Sequence, residues 1–348
     1  MTVTRRRRAS RRTRTIGGLA AALTLALVGA ACGEADGDGI TIGDGKGGAE
    51  AVDFQPTAAF VAEAAERSAA EPYRMDLAMS FAGSDSVPMA TAMVDGGSSQ
   101  MSLDMAEMLT VISQGMGPVG GALPPEFEGI DMTMEMISLP DTLYLRAPMF
   151  AALSDIGGGA DAGVPPALVD LGDGWGSIDV AALGDALPAD VQNAITGGQA
   201  FDPTVYLELV SGAEGVEELG TRDIDGEQVT GLSAEVSFGD LLEAAGTDPS
   251  AFGELGPNEA TDDLYDQMTG MTTPVEVWVD EAGFVRQIAY TLDMSELLDA
   301  LGESSSALGG DMSFGYTMDL YDYGDESISI EAPADATDIT ESFASLVE

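Results

Sequence analysis

Few side chains in this sequence are equipped for chemistry, and their spacing narrows the field further. Among 348 residues there is no histidine and a single cysteine, Cys32. Without imidazole there is no Ser-His or Cys-His nucleophile pair and no His-ligated zinc. One thiol excludes an intrachain disulfide, a CxxC redox pair and a Cys-built metal site. Carboxylates remain. Glu217-Glu218, Asp262-Asp263 and Asp223/Asp225 have the residue types of a glycosidase pair or a divalent-cation site. With 60 acidic residues in the chain, such neighbours arise by chance, and a solvated charged face is the favoured reading. Ser-x-x-Lys and Gly-x-Ser-x-Gly are absent. The residues therefore predict no catalytic group, no metal site and no cofactor.

Cys32 itself is set for a different reaction. Arg5 to Arg14 form a basic stretch, followed by the uncharged, mostly apolar run Ile16–Ala31. A membrane-spanning helix wants ~20 apolar residues, so this run is the length of a signal-peptide core. It ends in Val28-Gly29-Ala30-Ala31-Cys32-Gly33, which resembles a bacterial lipobox, where the thiol is diacylated and the peptide is cut just before it. The competing reading is an ordinary secretory signal with an incidental cysteine. Ser10-Arg11-Arg12 leaves twin-arginine export open beside the general route. Residues 1–31 are thus expected to be a lipoprotein signal peptide. Residues 32–52, rich in glycine and aspartate, are expected to be a flexible tether, because they cannot bury enough apolar surface to offset their ordering entropy. Residues 53–348 form the expected domain.

Seven of the 13 basic residues precede Cys32 and no acidic residue does, which leaves six cations against 60 carboxylates, a formal charge of −54. Such a surface repels phosphate backbones and excludes nucleic acid as a partner. Arg74, Arg146, Arg222 and Arg286 fall in expected strands. Pairing with neighbouring carboxylates is the favoured reading; a headgroup clamp at a cavity mouth is the alternative.

The elements that carry these residues alternate in a readable way. A helix is predicted from Pro56, with Phe60, Val61, Ala64 and Ala65 at helical spacing. The period then changes to two. Tyr73, Met75, Leu77, Met79 and Phe81 alternate with Arg74, Asp76, Ala78 and Ser80. Similar alternation recurs in Ser98–Met105, Ile130–Ile137 and Met312–Leu320. Further strands are predicted at Ala90–Val94, Thr142–Arg146, Gly174–Val180, Glu217–Asp223, Gln228–Phe238, Thr273–Asp280, Phe284–Asp293 and Glu326–Glu331. Asp95-Gly96-Gly97, Asp225-Gly226 and Glu281-Ala282-Gly283 supply turns. Helical insertions are predicted at Met149–Leu153, Pro203–Val210, Phe238–Ala245, Thr261–Met271 and Ser295–Leu301, and loops at Gly115–Gly129 and Gly157–Pro166. One greasy and one polar face per strand mark an antiparallel sheet solvated on one side. Asp202–Ser211 echoes Gln55–Arg67, so the halves share a helix-then-meander order, read here as one continuous sheet.

The lipobox, tether, helix and methionine-faced meander, with Trp175-Gly176-Ser177-Ile178-Asp179, Val277 to Arg286 and the closing Ile328 to Pro333, resemble actinobacterial envelope lipoproteins of the LppX/LprG type and, more broadly, the LolA-like superfamily. The resemblance implies an α+β fold: a single curved antiparallel sheet, a half-barrel, covering several helices around an apolar cavity. It also implies binding of lipids or acylated molecules at the extracytoplasmic face of the cell membrane, with an envelope transporter or other protein as partner and no catalysis. Candidate cavity residues are Met75, Met79, Met101, Met105, Met132, Met134, Met136, Phe314, Tyr316 and Met318. Methionine is unbranched and polarizable and can repack around ligands of variable shape; plain core filler is the competing reading. An acidic scaffold that binds a protein without a lipid cavity is the alternative function.

Replacing the only thiol tests the anchor. Cys32→Ser is expected to abolish diacylation and release or stall the protein, as membrane fractionation and intact mass will show. Full membrane retention after signal cleavage would contradict it.

Overall fold

The computed structural model describes residues 57–81, 84–115, 129–154, 166–183, 203–213, 215–244, 269–293 and 313–347. The signal segment, Cys32 and the tether lie outside these residues, as do Ser295–Leu301 and most of Thr261–Met271.

Helix α1 (Ala58–Ala69) begins at Thr57, whose hydroxyl accepts the Phe60 N–H at 3.4 Å. That cap satisfies one of the amides a helix start leaves unpaired. Val61, Ala64 and Ser68 turn inward at helical spacing. The far end of α1 is tied down over a long sequence distance. Ser68 Oγ accepts the Val285 N–H at 3.0 Å, and Arg67 Nη1 donates to the Ala282 carbonyl at 2.6 Å.

Among the described residues, eleven strands follow in two meanders and a twelfth stands apart from them. The first comprises β1 (Tyr73–Phe81), β2 (Val87–Asp95), β3 (Ser98–Asp104), β4 (Thr133–Leu139), β5 (Thr142–Arg146) and β6 (Trp175–Asp179). The second comprises β7 (Glu217–Ile224), β8 (Glu227–Ser237), β9 (Thr272–Asp280), β10 (Val285–Asp293) and β11 (Ser313–Tyr321), and β12 (Ala336–Asp338) closes the list. All form one open sheet in the order β12-β6-β5-β4-β3-β2-β1-β11-β10-β9-β8-β7. Every pairing is antiparallel except β12 on β6, which is parallel. The architecture is therefore α+β with a large, mostly antiparallel, unclosed sheet. The meanders meet at β1 and β11, which pair from Arg74↔Tyr321 to Phe81↔Phe314.

Local chemistry explains where strands stop. Asp104 Oδ1 accepts the N–H groups of Ala106 and Glu107 at 2.9 and 3.1 Å, and helix α2 (Met105–Gly115) starts there. Met105 is thus the first residue of a helix and not the last of a strand. Short helices α3 (Met149–Leu153) and α4 (Pro166–Leu171) lie between β5 and β6. Asp179 ends β6 and caps α5 (Val180–Leu183) through the Ala182 N–H at 2.9 Å. After α6 (Pro203–Gly212), Ser237 ends β8 and caps α7 (Phe238–Ala244) through the Asp240 N–H at 3.0 Å. Helix α8 (Thr340–Val347) follows β12.

The strand expected at Glu326–Glu331 does not form. Asp325 instead accepts the Ser327 N–H at 2.8 Å and its carbonyl accepts the Ile328 N–H at 3.0 Å, a local turn that competes with a ladder. Strand β4 likewise starts late, because Asp131 Oδ1 takes the Thr133 N–H at 3.0 Å.

The echo between halves has a structural counterpart. Helix α1 precedes the first meander and α6 the second, and the two helices pack on each other, α6 against β8 and β9 and α1 against β10. In the β7–β8 turn, Asp225 and Gly226 have φ of 53° and 88°, as a tight primed hairpin turn requires.

Near that edge the sheet depends on a missing side chain. Gly231 lies opposite Trp278, and a Cβ there would sit 2.6 Å from the indole ring. The ring cannot retreat: Arg222 lies 3.6 Å above it and Nε1 donates to Glu276 at 3.1 Å. Gly231→Ala is therefore expected to destabilise the fold by ~1–3 kcal/mol through overpacking. Chemical denaturation checks this, and an unchanged midpoint would show that the stack is not held in place.

Candidate ligand-binding face

The strand register assembles two faces of opposite character. On one face, Leu145, Met136, Met101, Ala92, Met75 and Leu320 form a row across six strands. A second row, Met134, Leu103, Ala90, Leu77, Met318, Ile288, Val277 and Leu232, crosses eight. All the side chains of this second row are buried, Met318 and Leu232 at 0 % exposure and Met134 at 3 %. Burying each large one stabilises the fold by roughly 1.5–3 kcal/mol.

The character changes two residues further along. Met79, Tyr316, Tyr290, Val275 and Ala234 form a third row, of which Met79, Tyr316 and Tyr290 are only partly buried. Phe81 and Phe314 meet edge to face at 4.6 Å in a fourth. Tyr206 of α6 stacks on Tyr290 at 5.9 Å, and Tyr290 on Tyr316 at 5.1 Å. Burial pushes the Tyr290 phenol up to about 12 and the Tyr316 phenol well above its ordinary value, so both keep their protons.

The structure thus brings Met75, Met79, Met101, Met134, Met136, Phe314, Tyr316 and Met318 onto one face. Met105 and Met132 join it from outside the strands, linked by the Met105 N–H to the Met132 carbonyl at 3.1 Å, and both are buried. The sequence reading missed Tyr206 and Tyr290. Tyr290 was within reach, standing two residues from Ile288 and Leu292 in an alternating strand. Tyr206, on a helix, carried no such sign.

The opposite face is polar. Arg146, Glu135, Ser102, Thr91, Asp76, Asp319, Gln287, Trp278 and Gly231 follow one another across nine strands. Its arginines are engaged locally: Arg146 with Glu135, Arg222 with Gln287 and Trp278, and Arg74 with Asp322 at 3.4 Å and the Met93 sulfur at 3.0 Å. Arg286 sits in a bulge at the start of β10, bonded to Asp280 at 2.7 Å and to Glu227. None of these four faces the apolar rows: Arg74, Arg146 and Arg286 pair with carboxylates, and Arg222 bonds to Gln287 and lies over Trp278. A shallow cleft of about 120 Å³ lies between Arg74, Met93, Gln100, Ser102 and Tyr321 on this polar side. Glu217 and Glu218 are exposed, and as adjacent residues of β7 they point to opposite sides. Asp262 and Asp263 lie outside the described residues.

No family model and no curated protein matches the chain. In fold the chain is similar to LprF from Mycobacterium bovis, with 11% identity, 80% of this chain and 97% of that one covered, and a TM-score of 0.36. It is also similar to the Mycobacterium tuberculosis lipoprotein LppX (10% identity, 79% and 97% covered, TM-score 0.35). A LolA superfamily protein from Nitrosomonas europaea aligns at 9% identity, 79% and 96% coverage and a TM-score of 0.23. These are the groups that the sequence resembles. The strand order and register carry the fold independently of them.

One contact on the polar face works against folding. Asp76 and Asp319 stand directly opposite each other on β1 and β11, where like charges repel. Partial burial is the main cause that raises the Asp319 carboxyl above its ordinary 3.8; the Gln287 amide, donating at 2.5 Å, opposes it, and Asp225 and Asp76 add to it. A folded-state value above the unfolded one means the native state binds the proton more tightly. The ionised carboxyl is then a cost that appears as pH rises from 3.8 through the raised value. Asp319→Asn keeps an acceptor for Gln287, and its stability relative to the parent is expected to grow with pH across that window. Parallel denaturation curves at pH 4, 5 and 7 measure it; a constant difference would contradict the assignment.

Proposed function

We propose that residues 53–348 form a non-catalytic domain that binds lipid or acylated molecules on the apolar face of the sheet, tethered by residues 32–52 to an acylated Cys32 on the extracytoplasmic side of the cell membrane. The observation that supports this reading is the single methionine-rich face, whose third row is only partly buried at Met79, Tyr316 and Tyr290. Hiding a methylene from water is worth ~0.8 kcal/mol, so one 16-carbon chain represents ~12 kcal/mol. A membrane supplies the same amount. A face that merely matches it makes exchange between bilayer and protein nearly thermoneutral, as a carrier needs.

The alternative, an acidic scaffold without a lipid site, draws on the near-complete burial of the first two rows, which reads as a closed core. One variant separates the two. If the face takes acyl chains, Met134→Trp is expected to lower lipid uptake while stability changes little, because the added volume occupies ligand space. In a closed core the same change overpacks and costs ~1–3 kcal/mol. Native mass spectrometry of the parent protein after gentle purification, paired with melting curves of the variant, measures both. A clean apo mass together with a destabilised variant overturns the lipid reading and leaves the scaffold.

A further inference from the structure

The distribution of charge narrows the ligand. We propose that the apolar face receives lipids whose head is uncharged and bears hydroxyl or ester groups, met by the phenols of Tyr316 and Tyr290, and that it refuses lipids with an anionic head. This rests on the lipid reading above and adds the chemistry of the head.

An anion taken out of water needs a cation or several strong donors beside it, or the desolvation penalty is not recovered. After Cys32 the chain holds only six cations, Lys46 and five arginines. Arg74, Arg146 and Arg222 are engaged on the polar face, Arg286 in its bulge, and Arg67 at the end of α1 against Ala282 and Glu63. Lys46 lies in the glycine- and aspartate-rich stretch that precedes the domain. Residues 116–128, 155–165, 184–202, 245–268 and 294–312, which connect the described elements, contain no lysine, arginine or histidine. These segments therefore supply no cation wherever they lie. A formal charge of −54 then opposes any anion that approaches.

A cationic head fares no better among the described residues, because the apolar rows carry no carboxylate. The polar groups this face does hold are neutral hydroxyls. Ser99 and Ser138 pair across β3 and β4, both buried, and Ser99 Oγ has no hydrogen-bond partner among the described residues. At the more open end, the Tyr290 phenol bonds to Tyr206, and among the described residues no hydrogen bond engages the Tyr316 hydroxyl. Protonated phenols in this partly buried row offer O–H donors to an ester carbonyl and acceptors to an alcohol that displaces the neighbours packed over them. They give a carboxylate or phosphate far too little.

The test uses the mature full-length protein and two labelled lipids with identical acyl chains, a diacylglycerol and a phosphatidylglycerol, each offered from phosphatidylcholine vesicles at ~0.15 M salt. Diacylglycerol is expected to transfer to the protein at least tenfold more favourably than phosphatidylglycerol. Equal transfer of both would overturn the proposal and leave the lipid reading standing; transfer of neither would overturn both. Tyr316→Phe keeps the ring and its stack and removes one hydroxyl. It is expected to weaken diacylglycerol binding roughly three- to tenfold at an unchanged melting temperature. Tyr290→Phe provides a second reading of the same effect. Unaltered diacylglycerol affinity in both variants would overturn the assignment of the phenols.

Discussion

The pairing of β1 with β11 is the constraint on which the rest of the structure depends. It joins strands separated by more than two hundred residues, and among the described residues it is, apart from the three-residue parallel pairing of β12 on β6, the junction between two meanders that otherwise pair with their sequence neighbours. Its register places Leu77 against Met318 and Met79 against Tyr316, which aligns the apolar rows of the two halves into one surface. Because side chains alternate with period two, a slip of one residue there would turn the apolar set of one half to the solvent. The same register sets Asp76 against Asp319 on the other side. The junction therefore accepts an electrostatic cost on its polar face to make the apolar face continuous. The bond from Tyr321 to Asp76 at 3.1 Å and from Gln287 to Asp319 at 2.5 Å offset part of that cost.

Helix α1 reinforces the junction from the side. Its end holds the β9–β10 turn through Arg67 and Ser68, where Asp280 Oδ1 accepts the N–H groups of Ala282 and Phe284, each at 2.9 Å. The Tyr323 hydroxyl, just past β11, donates to the Val285 carbonyl at 2.6 Å, and its ring stacks on Phe284 at 4.7 Å. Helix α6 packs beside α1 and delivers Tyr206 to the tyrosine stack. So the contacts at the Val285 end of the apolar face are aromatic and hydrogen-bonded, the tyrosine stack lies towards the opposite end, and the methionine rows between them are held by apolar burial. Adaptable side chains and a rigid frame occupy different parts of one sheet.

Much of this was legible because alternation is a strong signal. The strands Tyr73–Phe81 and Thr142–Arg146 and the helix Met149–Leu153 fall where the sequence pattern places them. The methionines chosen from period two share one face for the same reason. Of the helices that follow a strand without a break, Phe238–Ala244 lies where the sequence places it, but those after Asp104 and Asp179 were harder to see. Asp104 and Asp179 read as ordinary polar strand positions, yet each turns the chain into a helix by capping it. A carboxylate at the end of an alternating run was the available sign. The Glu326–Glu331 run alternates too, but Asp325 captures its backbone first. The tyrosine stack was the least legible feature, since it is assembled from α6, β10 and β11 and no local pattern links them.

Whether the methionine face itself accepts the ligand decides the function. Methyl-labelled methionine observed by NMR during titration with diacylglycerol-containing vesicles tests it most directly, because each methyl reports its own surroundings. The signals of Met79, Met134 and Met318 are expected to shift together and saturate, while Met93, on the polar face beside Arg74, stays in place. Unmoved signals from the apolar rows, or a response confined to Met93, would contradict it.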